Sequence, residues 1–251
     1  MKKALLLSAL VISMPFQSSF AGPGHHHGYA QWGYTGAGAA HRWGDLSSGF
    51  EACKNGTAQS PVNIDAFMQG ALPPLDVAYN AVSLDVANTG YTVQVNAQNG
   101  GGLNFQGKPF TLSHFDFHTP SEHYVDGAPY PMEAQFVHKA PDGSFGIVSV
   151  MFKVGAHNPV TEGIWQNVPR AGEVKAVEGV QISVADLLPA TRGYFQYQGS
   201  LTTPPCSEGV QWFVMKEPIT LSAKQLKAFQ AVFPVNARPI QDLNGRVVKG
   251  D

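Results

Sequence analysis

The chain has few charged residues, only two cysteines and no long apolar run, and each shortage excludes a class of protein. Charged residues make up 14% of the 251 residues, with 16 Lys and Arg against 18 Asp and Glu, for a formal net charge of -2. A mildly acidic, evenly mixed surface of this kind does not suggest nucleic acid as a partner. Two cysteines exclude a cysteine-rich metal cluster and a disulfide-dense small fold.

Several local motifs are also missing. The sequence contains no glycine-rich phosphate-binding loop, no Gly-x-Ser-x-Gly elbow, no internal repeat and no heptad pattern. After the first residues, no segment is apolar for the roughly 20 residues that a membrane-spanning helix needs. Nucleotide hydrolysis, serine hydrolase chemistry and a coiled-coil role are therefore not supported.

The composition that remains favours one turn-rich β domain. Hydrophobic residues make up 43% of the chain, while 27 glycines and 18 prolines divide it into short segments. A chain of this length can bury a full core within one domain. Alternation and turn residues predict strands at 82–86, 91–95, 103–105 and 109–112, and an apolar run predicts a strand buried on both faces at 146–154. The only short helices predicted are 186–188, 222–230 and a segment near Thr161.

The N-terminus has the form of an export signal. Residues 1–21 combine two lysines, a short apolar run and a small residue at Ala21, which predicts a cleaved signal peptide rather than a membrane anchor. Residues 22–30 form a glycine-rich tract in which His25–His27 either capture a metal ion or are simply solvated. The folded domain is expected at 31–251. Export to the periplasm or outside the cell makes a Cys53–Cys206 disulfide the favoured interpretation, with two buried free thiols as the alternative.

One stretch concentrates groups that can bind metal or titrate. In a strand with a side-chain period of two, His114, Asp116 and His118 share one face, and Phe115 and Phe117 share the other. Glu133 and Gln135 share a face of a second segment in the same way. Two neighbouring strands of this kind would form a polar pocket inside a β fold.

Together with other segments, this stretch resembles the alpha class of carbonic anhydrases. The resemblance rests on Trp32-Gly33-Tyr34, on Gln59 to Ile64, on Phe115 to His123, on Met132 to His138 and on Ser200 to Pro205. These segments run in the family's order from about residue 30 to the C-terminus. The resemblance implies a mostly β fold, with a large, twisted, mainly antiparallel central sheet, short peripheral helices and a conical cavity.

The family's chemistry is the reversible hydration of CO2 to bicarbonate and a proton. Three neutral imidazoles hold Zn2+, which lowers the pKa of a water molecule to about 7. By resemblance, Thr202 and Glu122 orient that nucleophile, and an apolar wall receives CO2. The resemblance places this wall at Val137, Ile147 and Leu201. A histidine further out carries the proton to solvent, and Tyr91 stands at its position.

At the metal ligands the chain departs from the family. The three histidines are expected at the positions of Asp116, His118 and Gln135, and only His118 is an imidazole. His114 replaces a glutamine that would hydrogen-bond the first ligand, and Glu133, the orienting residue of the third ligand, faces an amide. An amide oxygen is a poor ligand for zinc, and a carboxylate adds negative charge.

Three interpretations remain open. In the first, the chain hydrates CO2 with zinc held by Asp116, His118 and either His114 or Gln135. In the second, His114, Asp116 and His118 form a rearranged site for Zn2+, Fe2+ or Mn2+. In the third, the chain is a catalytically silent member of the family that serves as a binding or structural module. We expect a homologue with a degraded zinc site and little or no CO2 hydration, with zinc weak, altered or absent. No membrane span is expected after signal removal, and the choice between monomer and dimer stays open.

Overall fold

In the computed structural model, residues 31–251 are described. The predicted signal peptide at 1–21 and the predicted flexible tract at 22–30 lie outside these residues. Within the described range, no helix is long and apolar enough to cross a membrane.

Sixteen strands and four short α-helices make up the described part of the chain. The strands are β1 (Asn63–Ile64), β2 (Met68–Gln69), β3 (Asp76–Tyr79), β4 (Ala81–Asn88), β5 (Val93–Asn96), β6 (Gly101–Phe105), β7 (Lys108–His118), β8 (Tyr124–Val125), β9 (Ala128–Pro129), β10 (Met132–Lys139), β11 (Phe145–Val154), β12 (Val174–Ser183), β13 (Tyr194–Ser200), β14 (Glu208–Met215), β15 (Ile219–Leu221) and β16 (Lys249–Gly250). The helices are α1 (Trp43–Leu46), α2 (Ala52–Asn55), α3 (Pro159–Trp165) and α4 (Ala223–Gln230).

A single 13-stranded sheet dominates the fold. Its main order is β12-β4-β5-β7-β10-β11-β14-β13-β16-β2; β15 joins β11, and β3 pairs with β6, which joins β7. Most pairings are antiparallel, but β11 pairs in parallel with both β14 and β15. A small second sheet holds β1, β8 and β9. The prediction of a mostly β fold with a large, mainly antiparallel sheet is confirmed.

The sheet's two faces are packed differently, because strand side chains alternate. Phe115, Phe117 and Phe136 point into the larger hydrophobic core, where all three are fully buried. The neighbouring positions of β7 and β10 point to the opposite face. There the backbone register sets Asp116 opposite Gln135 on β10. The predicted separation of aromatic and polar faces is confirmed.

Strand β11 coincides with the apolar run for which a strand was predicted at 146–154. Its side chains are buried on both faces from Gly146 to Phe152, and only the last two residues are exposed. Its central position between β10 and β14 explains this pattern, because side chains on both faces meet packed layers.

The three predicted helices are present and carry local start signals. Asn158 caps α3 by accepting hydrogen bonds from the backbone N–H groups of Val160 and Thr161, and proline is its first residue. Ser222 and Gln225 form a capping box at the start of α4. The predicted segment at 186–188 is a 3-10 helix at Val184–Leu187.

The expectation of only three helices is wrong for the N-terminal region. Residues 36–55 form a chain of short turns, comprising 3-10 helices at Gly36–Gly38, Ala40–Arg42 and Ser48–Phe50 together with α1 and α2. Each has only three or four residues, too few to show a helical period in the sequence. Trp43 organises them: it is fully buried, and its indole N–H reaches the backbone oxygens of Gly33 and Gly38 at 2.8 and 2.9 Å.

The predicted disulfide is confirmed. Cys53 in α2 is bonded to Cys206, which follows the Ser200–Pro205 loop, across a sequence separation of 153. The described residues contain no free cysteine, so the alternative of two buried thiols is wrong. The bridge ties the N-terminal turns to the loop beside the polar pocket.

Candidate active site

A cavity of about 250 Å³ opens between strands β7, β10 and β11 and the loop after β13. It is lined by His114, Asp116, His118, Gln135, Val137, Phe145, Ile147, Leu201, Thr202 and Thr203. The pairing of β7 with β10 brings the polar members together, since His118 lies opposite Glu133 and Asp116 opposite Gln135. The polar pocket predicted from alternation is therefore present.

His118 is fixed with one ring nitrogen toward the protein and one toward the cavity. Its Nδ1 lies 2.7 Å from the backbone oxygen of Asn236. A carbonyl can only accept, so Nδ1 carries the proton. Its Nε2 then faces Asp116 Oδ1, which lies 3.6 Å away, beyond a direct hydrogen bond.

The charges around His118 favour its protonated form. Burial by itself lowers the pKa of this imidazole, but the carboxylates of Glu122 and Asp116 and the Asn236 carbonyl outweigh it and raise the pKa to about 10. The nearer carboxylate oxygen of Glu122 lies 3.5 Å from Nδ1.

Asp116 has an unusual position for a carboxylate. Its Oδ1 is shielded from solvent and has no hydrogen-bond partner in the described part of the chain. Its side chain is 18% exposed, toward the cavity. Most buried polar atoms in proteins are hydrogen-bonded, so this oxygen marks the place where the site is incomplete.

Gln135 joins the two buried glutamates behind the cavity. Its amide nitrogen donates to Glu122 Oε2 at 2.8 Å and to Glu133 Oε1 at 3.1 Å. Because both partners are carboxylate acceptors, the NH2 group must face them, and its two N–H bonds are both used. The amide oxygen is the only hydrogen-bonding atom of Gln135 left for the cavity.

Glu122 is fully buried, and both of its carboxylate oxygens accept hydrogen bonds. Its Oε1 accepts the backbone N–H of Arg238 at 2.8 Å, and its Oε2 accepts the Gln135 amide at the same distance. The nearby Thr202 hydroxyl has a smaller effect, which lowers the pKa of this carboxyl. Burial, with a smaller contribution from the Glu133 charge, raises the pKa of Glu122 above its ordinary value, against the opposing effect of His118. Thr202 lines the cavity, and its expected hydrogen bond to Glu122 stays a prediction.

Glu133 is the most completely satisfied group of the site. Its carboxylate accepts His123 Nδ1 at 2.9 Å and the Ser149 hydroxyl at 2.7 Å, besides the backbone N–H groups of Glu122 and His123. Burial raises its pKa, but the His123 charge and hydrogen bonds outweigh that effect and lower the pKa to about 2.

The other two buried histidines have structural partners outside the cavity. The remaining nitrogen of His123 lies 2.6 Å from the Tyr197 hydroxyl. His138 contacts the Gly146 backbone oxygen at 3.0 Å and the Tyr79 hydroxyl at 2.9 Å. Both rings are therefore held as core residues, away from the floor of the cavity.

The structure brings the predicted apolar residues together on one side of the cavity. Val137 on β10 lies directly opposite Ile147 on β11, and Leu201 follows β13. Val137 and Ile147 are buried, with 8% and 2% of their surface exposed. Their side chains form a wall facing the polar floor.

His114 lines the cavity but is not joined to the other two polar residues of β7. Its Nδ1 lies 3.2 Å from the Ser113 hydroxyl, and its place on the sheet is opposite Val137 rather than Gln135. Within residues 31–251, no group of three or more His, Cys, Asp or Glu side chains is arranged to hold a metal ion.

Tyr91 lies outside this cavity. Its ring stacks on Trp32, with ring centres 3.8 Å apart and planes 10° from parallel. It lines a neighbouring cavity of about 290 Å³ together with Tyr34 and Asn236.

Three residues of the site were not identified from the sequence. Asn236 and Arg238 act through backbone atoms, which carry no signal in residue type. Ser149 is different, since a single hydroxyl in the middle of the apolar run of β11 is a sequence signal for a buried polar partner.

Comparisons with known proteins agree with the architecture of the fold and site. A family model described as eukaryotic-type carbonic anhydrase matches residues 38–250. A carbonic anhydrase of Pectobacterium atrosepticum is 41% identical over 243 residues, covering 96% of this chain and 96% of the relative.

Two solved structures share the fold. The alpha-carbonic anhydrase of Thermovibrio ammonificans, in complex with the inhibitor sulfanilamide, is 43% identical with a TM-score of 0.85; the match covers 88% of this chain and 100% of the other. A dioscorin complexed with ascorbate is 28% identical with a TM-score of 0.81, covering 88% and 98%.

Proposed function

Since this chain belongs to the alpha-type carbonic anhydrase family, we propose that it is a homologue with a degraded zinc site and little or no CO2 hydration. The observation that carries the proposal is the pair of residues at two of the three expected ligand positions, Asp116 and Gln135. Reversible hydration of CO2 is the family reaction, and the fold for it is retained.

The residues present do not fit the zinc ion of the family. Of the three expected imidazoles, only His118 turns a ring nitrogen to the cavity. Gln135 offers an amide oxygen, and its N–H bonds are committed to Glu122 and Glu133. Carboxylate and amide oxygens suit harder cations than zinc, so affinity for zinc should be greatly reduced.

Replacing a residue that binds the metal directly should reduce zinc affinity more than replacing a residue that only orients a ligand. Removing a partner that merely orients a ligand costs about 10–100-fold in metal affinity or activity. Here residues at two expected ligand positions differ, and at the third ligand position Glu133 bonds the amide of Gln135 where the family has an imidazole. The presence of Thr202 and Glu122 does not require zinc, because a buried carboxylate needs hydrogen-bond donors in any case.

Two alternatives keep a role for the cavity. A functional enzyme with a non-standard Asp116 and His118 metal site is one, since both groups face the cavity without a hydrogen bond between them. A silent binding module is the other. The hydrogen bonds of Gln135 favour it, because they satisfy both buried glutamates without a metal ion, and the solved dioscorin shows a protein of this fold with ascorbate bound.

The test is zinc content and CO2 hydration of the purified protein. After dialysis against zinc, elemental analysis should find well under one ion per chain, and stopped-flow hydration should stay close to the uncatalysed rate. A variant with His25→Ala, His26→Ala and His27→Ala removes zinc held by that tract. One zinc per chain in this variant, with rapid turnover, would refute the proposal; zinc without turnover would favour the non-standard metal site.

We also propose that the protein is exported, to the periplasm in a Gram-negative cell. The Cys53–Cys206 bridge supports this, since structural disulfides persist in oxidising compartments. Edman sequencing of protein from the periplasmic fraction should begin at Gly22. An intact N-terminus at Met1 in soluble protein from the cytoplasm would contradict export.

A further inference from the structure

The buried polar groups of the cavity present acceptors rather than donors. Gln135 uses both amide N–H bonds on Glu122 and Glu133, which leaves its oxygen. The Oδ1 atom of Asp116 accepts no hydrogen bond from any described residue. The protonated ring of His118 is the exception, because its Nε2–H is a donor, but that donor faces Asp116 Oδ1 at 3.6 Å.

One positive charge reaches this floor: the ring of His118, whose raised pKa keeps it protonated, directs its Nε2–H at Asp116, 3.6 Å away. The Arg238 guanidinium donates to the backbone oxygens of Ser60 and Cys53, at 2.7 and 3.1 Å, and lies 5.6 Å from the Trp43 ring centre. Only its backbone N–H reaches Glu122. An anionic ligand would therefore meet the Asp116 carboxylate, and the one charged donor of the floor, His118 Nε2–H, is already directed at that carboxylate. Repulsion between like charges is costly at such short range.

The rest of the cavity is apolar and small. Val137, Ile147 and Leu201 face the acceptor floor across a volume of about 250 Å³. A volume below the usual range for drug-sized ligands suits a molecule with a single ring or a short chain. Its hydrophobic part would be covered by this wall.

We propose that this cavity binds a small primary amine with an apolar body. The ammonium group donates to the Asp116 carboxylate and the Gln135 amide oxygen, and the apolar body packs against Val137, Ile147 and Leu201. The inference rests on the proposed loss of the zinc site, since a bound metal ion would occupy the same acceptors. The preferred ligand of this cavity would then be a cation, whereas a site that contains a metal ion holds anions.

Three ligands that differ only in their polar group test the inference. Full-length protein, dialysed against EDTA and then against plain buffer, is titrated calorimetrically with benzylamine, benzyl alcohol and benzoate at pH 7. Benzylamine should bind with one site per chain, at least about tenfold tighter than benzyl alcohol, and benzoate should not bind. Equal or tighter binding of benzoate or benzyl alcohol, or no saturable binding of benzylamine, would overturn the inference.

A matched pair of variants locates the site. Asp116→Asn keeps the shape of the side chain and removes its charge, and should weaken benzylamine binding at least about tenfold. Asp142→Asn makes the same change at a 60% exposed surface carboxylate and should leave binding unchanged. Undiminished binding by Asp116→Asn would overturn the inference. Should that variant not fold, the comparison of the three ligands on the unmodified chain decides.

The two proposals fail separately. Stoichiometric zinc with rapid CO2 hydration contradicts the proposed function. Absence of benzylamine binding in a chain that also lacks zinc and turnover contradicts only the choice of ligand.

Discussion

Replacing Gln135 by leucine removes the amide that joins the two buried glutamates while keeping a side chain of similar size. The amide donates at 2.8 Å to Glu122 and at 3.1 Å to Glu133, and the residue is 3% exposed. Water cannot readily replace these donors, because both carboxylates are fully buried. The substitution should therefore lower the free energy of unfolding.

The size of the effect follows from these contacts. A hydrogen bond to a charged group contributes about 1.5–3 kcal/mol, so two bonds contribute about 3–6 kcal/mol. Burying leucine in place of the amide stabilises the folded chain by about 1–2 kcal/mol. The net loss should be about 2–4 kcal/mol, which for a domain of this size lowers Tm by roughly 5–15 °C.

Guanidinium unfolding followed by tryptophan fluorescence measures the loss. Gln69→Leu is a matched control, because Gln69 lies in the short exposed strand β2, and it should change stability by less than about 0.5 kcal/mol. If Gln135→Leu is as stable as the unmodified chain, the amide does not support the glutamates in the way described.

The remaining predictions concern pH, the disulfide and proton transfer. Burial lowers the pKa of His138 to about 4, so the unfolded chain takes up the proton first. Stability should then fall by roughly 3 kcal/mol as pH drops from about 6.5 to 4, and His138→Gln should flatten that part of a pH series of denaturant melts. Replacing Cys53 and Cys206 by alanine opens a loop of separation 153 and should cost about 2–5 kcal/mol in the same assay; an unchanged midpoint would contradict it. In a chain with its zinc histidines restored, Tyr91→His should raise CO2 hydration in weak buffer, because histidine titrates near neutral pH; an unchanged rate would show that the position carries no proton.

The sequence predicted those parts of the fold that depend on short-range patterns. Alternation separated Phe115 and Phe117 from the polar face of β7, and the same period put Glu133 and Gln135 on one face of β10. The resemblance to the family placed Gln135 near Asp116. A one-residue shift in register would turn every side chain of a strand to the other face. A correct alternation pattern therefore determines which side chains line the polar pocket.

Contacts made by backbone atoms across long separations could not be predicted in this way. The carbonyl of Asn236 orients His118, and the N–H of Arg238 holds Glu122, but any residue type offers these atoms. The short turns at 36–55 were missed for a related reason. They are held by one buried side chain, Trp43, and by the disulfide rather than by a helical period.

The proposed departure at the metal position came from the family resemblance, but its physical consequence could not be read from the sequence. The resemblance placed Asp116 and Gln135 where histidines are expected. Only the structure shows that Gln135 satisfies two buried carboxylates and that Asp116 has no hydrogen-bond partner among the described residues. The hydrogen bonds of the cavity floor are therefore satisfied at Gln135, whereas Asp116 Oδ1 has no partner among the described residues.

Restoring the two histidines tests the central claim most directly. A chain with Asp116→His and Gln135→His is compared with the unmodified chain for zinc per chain and for stopped-flow CO2 hydration at matched concentration. We predict one tightly held zinc and a gain in hydration of at least about a hundredfold, as expected when direct ligands are regained. Equal hydration by the two chains, with zinc bound in both, would contradict the claim that these residues disable the site.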